Sequence, residues 1–301
     1  MPAWGELLEE LKDHKNHDGM FVEALTVDSL RSKYLNKLSN HTGRNVIAYY
    51  SGWLNGRNLN VDINDGDMTG FMSAMKGMDC SKGLDLILHT PGGSPTAAEG
   101  LVNYLHSKFG SDIRVFVPQM AMSAGTMLAC ASKEIIMGKH SCLGPIDPQF
   151  GGIAAYNIVS EFQQARDELS QNPKNRVFWE LQLNKYPVAF LYSVVDAINL
   201  SSALTEQWLK QYMFEGNPNK DEISKRIVGQ LNANNKSHSR HFSYTFCKGL
   251  GLNVKPLEDK QDLQELVLSV HHAYVITFDV TKAAKIIENQ NGIRYITRQQ
   301  D

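Results

Sequence analysis

Short apolar runs alternate with helical patterns through the first half of the chain. Four runs predict strands: residues 45–50, 84–88, 113–117 and 134–137. The run at 84–88 has the pattern of a strand buried on both faces, and 113–117 is predicted to be the next buried strand. The segments between them carry apolar side chains at helical spacing: residues 65–78, 94–109 and 123–132. Because strands and helices alternate with short connections, the sequence predicts an α/β fold around a mostly parallel sheet.

Beyond residue 152 the pattern changes, and we expect helices only. They are predicted over residues 155–169, 189–213, 221–231, 242–250 and 262–277. The last residues are polar and are predicted to be poorly ordered or used for assembly. The chain therefore divides into an N-terminal helical arm (1–43), an α/β domain (44–278, helical from about 153) and a polar C-terminal tail (279–301).

The amino-acid composition argues against several classes of protein, among them nucleic-acid-binding, membrane-spanning and metal-dependent proteins. The 301 residues are 42% hydrophobic and 21% charged, with a formal net charge of −2, which predicts no general attraction to nucleic acid. The four cysteines have no C-x-x-C spacing, as expected for reduced thiols in a cytoplasmic chain. No stretch approaches the roughly 20 apolar residues of a membrane span. No metal-ligand spacing and no phosphate-binding loop occur, so we expect no metal and no cofactor.

Two strand-to-helix junctions carry the candidate chemistry. Gly92 and Gly93 follow the second strand, and Ser94 is the predicted N-cap of the next helix. Ser123 follows the third strand between small residues, where its hydroxyl can be presented as a nucleophile. Because parallel strands end at the same edge of a sheet, these junctions should meet. The amides of Gly93 and Ala124 are the expected oxyanion donors, and this combination predicts hydrolysis through acyl transfer.

A serine nucleophile also needs a base and a group that orients the base. Asp147, stiffened by a proline on either side, and His238 are the candidates, and His241 competes with His238. A Ser–Lys dyad is a second possibility, because a desolvated lysine can serve as the base. The lysines considered for this role, Lys139, Lys174 and Lys185, lie after the serine in the chain.

Three segments together resemble the serine dehydrogenase proteinase family of the Clp protease/crotonase superfamily, a relative of signal peptide peptidase A. They are His-Thr-Pro-Gly-Gly-Ser-Pro (89–95), Met-Ser-Ala-Gly-Thr-Met (122–127) and Leu-Gly-Pro-Ile-Asp-Pro-Gln (143–149). The resemblance covers roughly residues 45–277. It implies an α/β fold with a Clp/crotonase-like core of stacked strand–strand–helix units and a helical C-terminal extension. It also implies a catalytic triad in the order Ser123, Asp147, His238.

The resemblance further implies a serine endopeptidase that forms a homo-oligomer. The substrate is expected to be a peptide or protein that binds as an extended strand, with Gly92 and Ser94 as substrate-binding residues. Any ATP dependence would have to come from a partner. A crotonase-type acyl-CoA enzyme, which needs no nucleophilic serine, and a non-catalytic scaffold are the remaining alternatives.

Overall fold

The computed structural model describes residues 4–12, 22–55, 61–232 and 240–299. The helices in these ranges are α1 (Trp4–Lys12), α2 (Val22–Thr42), α3 (Asp67–Ala74), α4 (Pro95–Phe109), α5 (Ala124–Cys130), α6 (Ala155–Gln171), α7 (Arg176–Leu183), α8 (Phe190–Trp208), α9 (Lys220–Asn232), α10 (Tyr244–Leu250) and α11 (Gln261–Val280). The strands are β1 (Asn45–Ser51), β2 (Leu84–His89), β3 (Ile113–Val117), β4 (Met120–Ala121), β5 (Glu134–Met137), β6 (Cys142–Leu143), β7 (Gln149–Phe150), β8 (Ile153–Ala154), β9 (Phe242–Ser243), β10 (Val254–Pro256), β11 (Ala283–Asn289) and β12 (Arg294–Arg298).

A seven-stranded sheet forms the centre of the molecule, in the order β10-β5-β3-β2-β1-β11-β12. The first five strands in this order run parallel, whereas β11 and β12 pair antiparallel. The expected α/β fold with a mostly parallel sheet is confirmed. Parallel order brings the carboxyl ends of β2 and β3 to one edge, which is where the candidate chemistry lies.

Both faces of the sheet are covered. Along β1, Ile47 and Tyr49 contact the core that includes α4 and α5, whereas Ala48 and Tyr50 contact the core that includes α2 and α11. Side chains alternate in this way because successive residues of a strand point to opposite faces. Burial on both faces explains why β1 and β2 are mostly apolar, without the alternation of a half-exposed strand. The one charged residue of β2, Asp85, is buried in ion pairs with Arg44 and Arg114.

The expectation of helices only beyond residue 152 is wrong, because β10, β11 and β12 join the main sheet. The segment expected to be a polar tail contains β11, every residue of which is buried beside β1. Its charged residues are paired: Lys285 with Asp67, and Glu288 with Arg31. A buried strand can carry charges when each charge has a partner, and this is why polarity alone misled the prediction. Helix α3 also ends earlier than expected, and α7 was not predicted.

Small pairings outside the main sheet position the loops around its edge. A three-stranded sheet has the order β4-β6-β9, with β6 antiparallel to β9. Strands β7 and β8 form a hairpin just before α6. Among the described residues, none of the helices is long and apolar enough to cross a lipid bilayer.

Candidate active site

The glycine loop after β2 has a backbone that other residue types rarely adopt. Gly92 has φ +102° and Gly93 has φ +148°, and Ser94 then begins α4. The expected N-cap is confirmed, because the Ser94 hydroxyl accepts a hydrogen bond from Ala97 N at 3.2 Å. The capped helix fixes where the loop ends, and the buried strand β2 fixes where it begins.

Ile63 holds the outer side of this loop through a single parallel bridge. Its N–H donates to Gly92 O at 2.7 Å, and its carbonyl accepts from Ser94 N at 2.9 Å. In a parallel bridge, the residue between these two bonds turns its own N–H and C=O to the opposite side. The Gly93 amide therefore points away from Ile63. Sequence reasoning missed Ile63, because a one-residue bridge has no periodic signal.

Ser123 occupies a sharp turn between β4 and α5. With φ +51° and ψ −119°, it is one of two non-glycine residues with positive φ in the described part of the chain. Such strained conformations cluster at functional sites. The side chain is half-buried and makes no N-cap bond to α5. The next amide, Ala124 N, opens the helix and so has no acceptor within it.

The structure brings the two predicted junctions together. Thr90 N donates to Met120 O at 3.1 Å, and Met122 N donates to Thr90 O at 3.0 Å. A Cβ placed on Gly92 would lie 2.6 Å from Met122 O and 2.6 Å from the Ser123 Cβ. This separation admits only glycine, so the glycine loop lies directly against the serine turn.

Asp147 lies in a loop that is attached to the same helix. The Thr126 hydroxyl on α5 donates toward Ala121 O (2.8 Å) and Gly144 O (2.9 Å), and it also accepts from Gly144 N at 2.9 Å. Asp147 itself is fully buried. Burial first, and the Asp147 carboxylate second, raise the pKa of Tyr156 at the start of α6. A buried carboxylate thus lies in the loop that follows the serine helix.

The predicted histidine, His238, lies outside the described residues. The described neighbours of segment 233–239 both contact the loop region of Asp147. Before the segment, Leu231 O accepts from Ile146 N at 3.4 Å. After it, Phe242 of β9 pairs with Leu143 of β6. His241, the competing histidine, is exposed.

The lysines considered as an alternative base do not have the burial that this role requires. Lys139, Lys174 and Lys185 are all exposed. The Lys185 ammonium donates to Gln182 Oε1 at 2.8 Å. A lysine acts as a base near neutral pH when it is desolvated, and none of these three is.

Histidines that the sequence left unassigned form a buried cluster beneath the glycine loop. His89 is the last residue of β2, and its Nε2 lies 3.0 Å from Gln119 Oε1. Its ring contacts Trp53 at a tilt and His271 edge-on, with ring centroids 4.3 and 5.3 Å away. Burial lowers the pKa of His89 to about 4 and holds the pKa of His271 well below its usual value. These rings are therefore neutral at pH 7 and serve as core side chains on the opposite face of β2.

The fold fits the ClpP-like class of serine proteinases. Residues 29–174 match the family model described as ClpP-like SDH-type serine proteinase. This match supports the serine dehydrogenase proteinase family that the motifs predicted. The matched stretch includes the glycine loop, Ser123 and Asp147.

Two relatives were found in Methanocaldococcus jannaschii, both named as uncharacterized. The chain is 37% identical over 138 residues to uncharacterized protein MJ0137, covering 44% of this chain and 48% of the relative. It is 27% identical over 173 residues to uncharacterized protein MJ1495, covering 57% of this chain and 51% of the relative. The chain thus spans about half the length of the curated relatives it matches.

Proposed function

We propose that this protein is a serine endopeptidase in which Ser123 is the nucleophile and the amides of Gly93 and Ala124 stabilise the oxyanion. The observation that carries the proposal is the strained Ser123 turn lying directly against the glycine loop. The turn presents a hydroxyl at the start of a helix, as nucleophile elbows do. Two amides without a helical or bridging acceptor flank the place where a carbonyl oxygen would sit.

Asp147 and His238 complete the proposed triad. His238 takes the proton from the Ser123 hydroxyl as it attacks the scissile carbonyl, and later gives it to the leaving amine. Asp147 keeps the imidazole in the correct tautomer. The position of the flanking residues supports this role, since Phe242 pairs beside Leu143.

The substrate is proposed to be an extended peptide that lies along the glycine loop. Ile63 occupies one side of Gly93, which leaves the other side for a peptide backbone. Binding through backbone groups accepts many sequences, as β-strand addition does. Gly92 and Ser94 are the proposed substrate-binding residues, because they flank the amide that faces this side.

We also propose that the protein forms a cytoplasmic homo-oligomer. Large apolar side chains are exposed on α7, on α8 and in the loop between them: Val177, Phe178, Leu181, Val188, Tyr192, Val195 and Leu200. A patch of this kind marks an association surface. A second copy of this chain is the proposed occupant of this patch. The proposal of a cytoplasmic location has separate support, because free thiols at all four cysteines agree with a reducing compartment. Light scattering should show a smaller particle for Phe178→Ser, but not for Met72→Ser, which changes a similarly exposed apolar residue on α3.

A fluorophosphonate probe tests the peptidase proposal, with hydrolysis of an unfolded protein as the second readout. The wild type should be labelled and active, and Ser123→Ala should be neither. Retention of acyl-CoA hydrolysis by Ser123→Ala would instead indicate crotonase-type chemistry. A folded wild type that neither reacts with the probe nor cleaves peptide would indicate a scaffold.

A further inference from the structure

We infer that Lys285 is a positioning residue for the oxyanion hole and acts through residues 61–64, here called the bridge segment. This inference rests on the proposed function, because it assigns a role in that same site. Lys285 lies on β11, close to the end of the chain, and no motif of the site includes it.

Lys285 and Asp67 form a buried ion pair that makes hydrogen bonds to the backbone of the bridge segment. Lys285 is 2% exposed, and its ammonium lies 2.7 Å from Asp67 Oδ1 and 2.6 Å from Asp62 O. The other carboxylate oxygen of Asp67 accepts from Asn64 N at 3.0 Å. The pair therefore binds the segment on both sides of Ile63, at residues 62 and 64.

Ile63 carries this restraint to the glycine loop. Both of its backbone hydrogen bonds end on the loop, at Gly92 O and Ser94 N. The contact is also close, since a Cβ on Gly93 would lie 2.4 Å from Ile63 N and from Ile63 O. The orientation of the Gly93 amide thus depends on where the bridge segment lies.

A second connection runs through Tyr49. Its hydroxyl donates to Asp67 Oδ2 at 2.8 Å, and burial together with the Asp67 charge raises the pKa of Tyr49 well above its usual value. The Thr90 hydroxyl interacts with the same phenol and accepts from Gly92 N at 3.2 Å. The ion pair is thus connected to the glycine loop in two ways, through Ile63 and through Tyr49 and Thr90.

Stability alone is a weak reason for burying this pair. Desolvation of two charges offsets much of their attraction, and apolar replacements of buried pairs are often neutral or stabilising. An apolar pair in this place could not donate to Asp62 O or accept from Asn64 N. The specific gain from Lys285 and Asp67 is therefore a fixed bridge segment, and with it a fixed Gly93 amide.

The test compares Lys285→Met with Arg31→Met. Arg31 of α2 and Glu288 of β11 form a second buried ion pair, at 2.7 Å, and Arg31 also donates to Thr277 of α11. Glu288 lies three residues after Lys285 on the same strand, so the two side chains point to opposite faces of the sheet. Each variant removes the cation of a buried ion pair that includes a residue of β11. Lys285→Arg, which keeps donors for Asp62 O and Asp67, serves as the rescue.

Two readouts are measured on the folded variants. Hydrogen exchange at the Ile63 and Ser94 amides should be at least tenfold faster in Lys285→Met than in Arg31→Met. The rate of fluorophosphonate labelling should fall at least tenfold in Lys285→Met, stay near wild type in Arg31→Met and recover partly in Lys285→Arg. Equal exchange rates at both amides in Lys285→Met and Arg31→Met overturn the inference. Equal labelling rates of these two variants also overturn it, provided that the wild type reacts with the probe. Should the wild type itself resist the probe, the peptidase proposal fails, and the exchange rates alone decide whether Lys285 fixes the loop.

Discussion

A single methyl group at Gly92 should separate the serine turn from the glycine loop. In Gly92→Ala the new Cβ would lie 2.6 Å from Met122 O and from the Ser123 Cβ, and 3.2 Å from Ala124 N. None of these atoms belongs to a flexible side chain, so the backbone itself has to move. A residue with a side chain is also strained at φ +102°.

The size of the effect follows from these two causes. Positive φ costs an alanine about 1–2 kcal/mol. Overpacking of a close contact costs typically about 1–3 kcal/mol more. We therefore expect the free energy of unfolding to fall by about 2–5 kcal/mol. Misplacement of a catalytic group by about 1 Å can cost 10²-fold, so labelling of Ser123 should fall by at least tenfold.

The matched control is Gly110→Ala at the end of α4. Gly110 also has positive φ, +59°, but a Cβ there meets no atom within 4 Å. It should lose stability from strain alone and keep the labelling rate of the wild type. The assay is urea unfolding followed by probe kinetics on the folded variants. A folded Gly92→Ala protein that reacts as fast as Gly110→Ala would refute the proposed contact between loop and nucleophile.

Three further predictions concern the triad and the buried histidines. Asp147→Asn keeps the shape of a fully buried side chain but should lower peptide hydrolysis by about 10⁴-fold, because the imidazole loses its orienting carboxylate. His238→Gln should abolish hydrolysis whereas His241→Gln should preserve it, as measured by turnover of a peptide; the reverse result would assign the base to His241. The free energy of unfolding should fall by about 3 kcal/mol between pH 7 and pH 4 because of His89, as measured by urea titration.

The sign of the pH effect follows from the direction of the shift. Burial lowers the pKa of His89 from 6.5 to about 4 in the folded protein. Between these values the unfolded chain takes up a proton that the folded chain does not, so stability is lost as the pH falls. His89→Gln should remove most of this loss. If His89→Gln loses as much stability at low pH as the wild type does, another buried group causes the loss, and His271 is the first candidate.

Local signals predicted the part of the fold that surrounds the glycine loop. The Ser94 cap, the helix that ends at Gly110 and the strand at residues 113–117 were all readable, because caps and buried runs depend on neighbouring residues. The contact between Gly92 and Ser123 could also be predicted, since parallel strands end at one edge of the sheet.

The missed elements depend on distant partners. Strand β11 looked like a polar tail because Lys285 and Glu288 find their partners, Asp67 and Arg31, more than 200 residues earlier in the chain. Ile63 was missed for the same reason, since its bridge to the loop joins single residues and has no period. Local pattern cannot show such pairs, although a buried charge always implies one.

A crystal structure of the protein after reaction with a fluorophosphonate tests the central proposal most directly, because the tetrahedral phosphonyl group imitates the intermediate. We predict a bond from phosphorus to Ser123 Oγ, with the phosphonyl oxygen about 2.7–3.1 Å from both Gly93 N and Ala124 N and the His238 ring beside the oxygen of Ser123. An adduct on another residue, or a phosphonyl oxygen that contacts neither amide, would contradict the account.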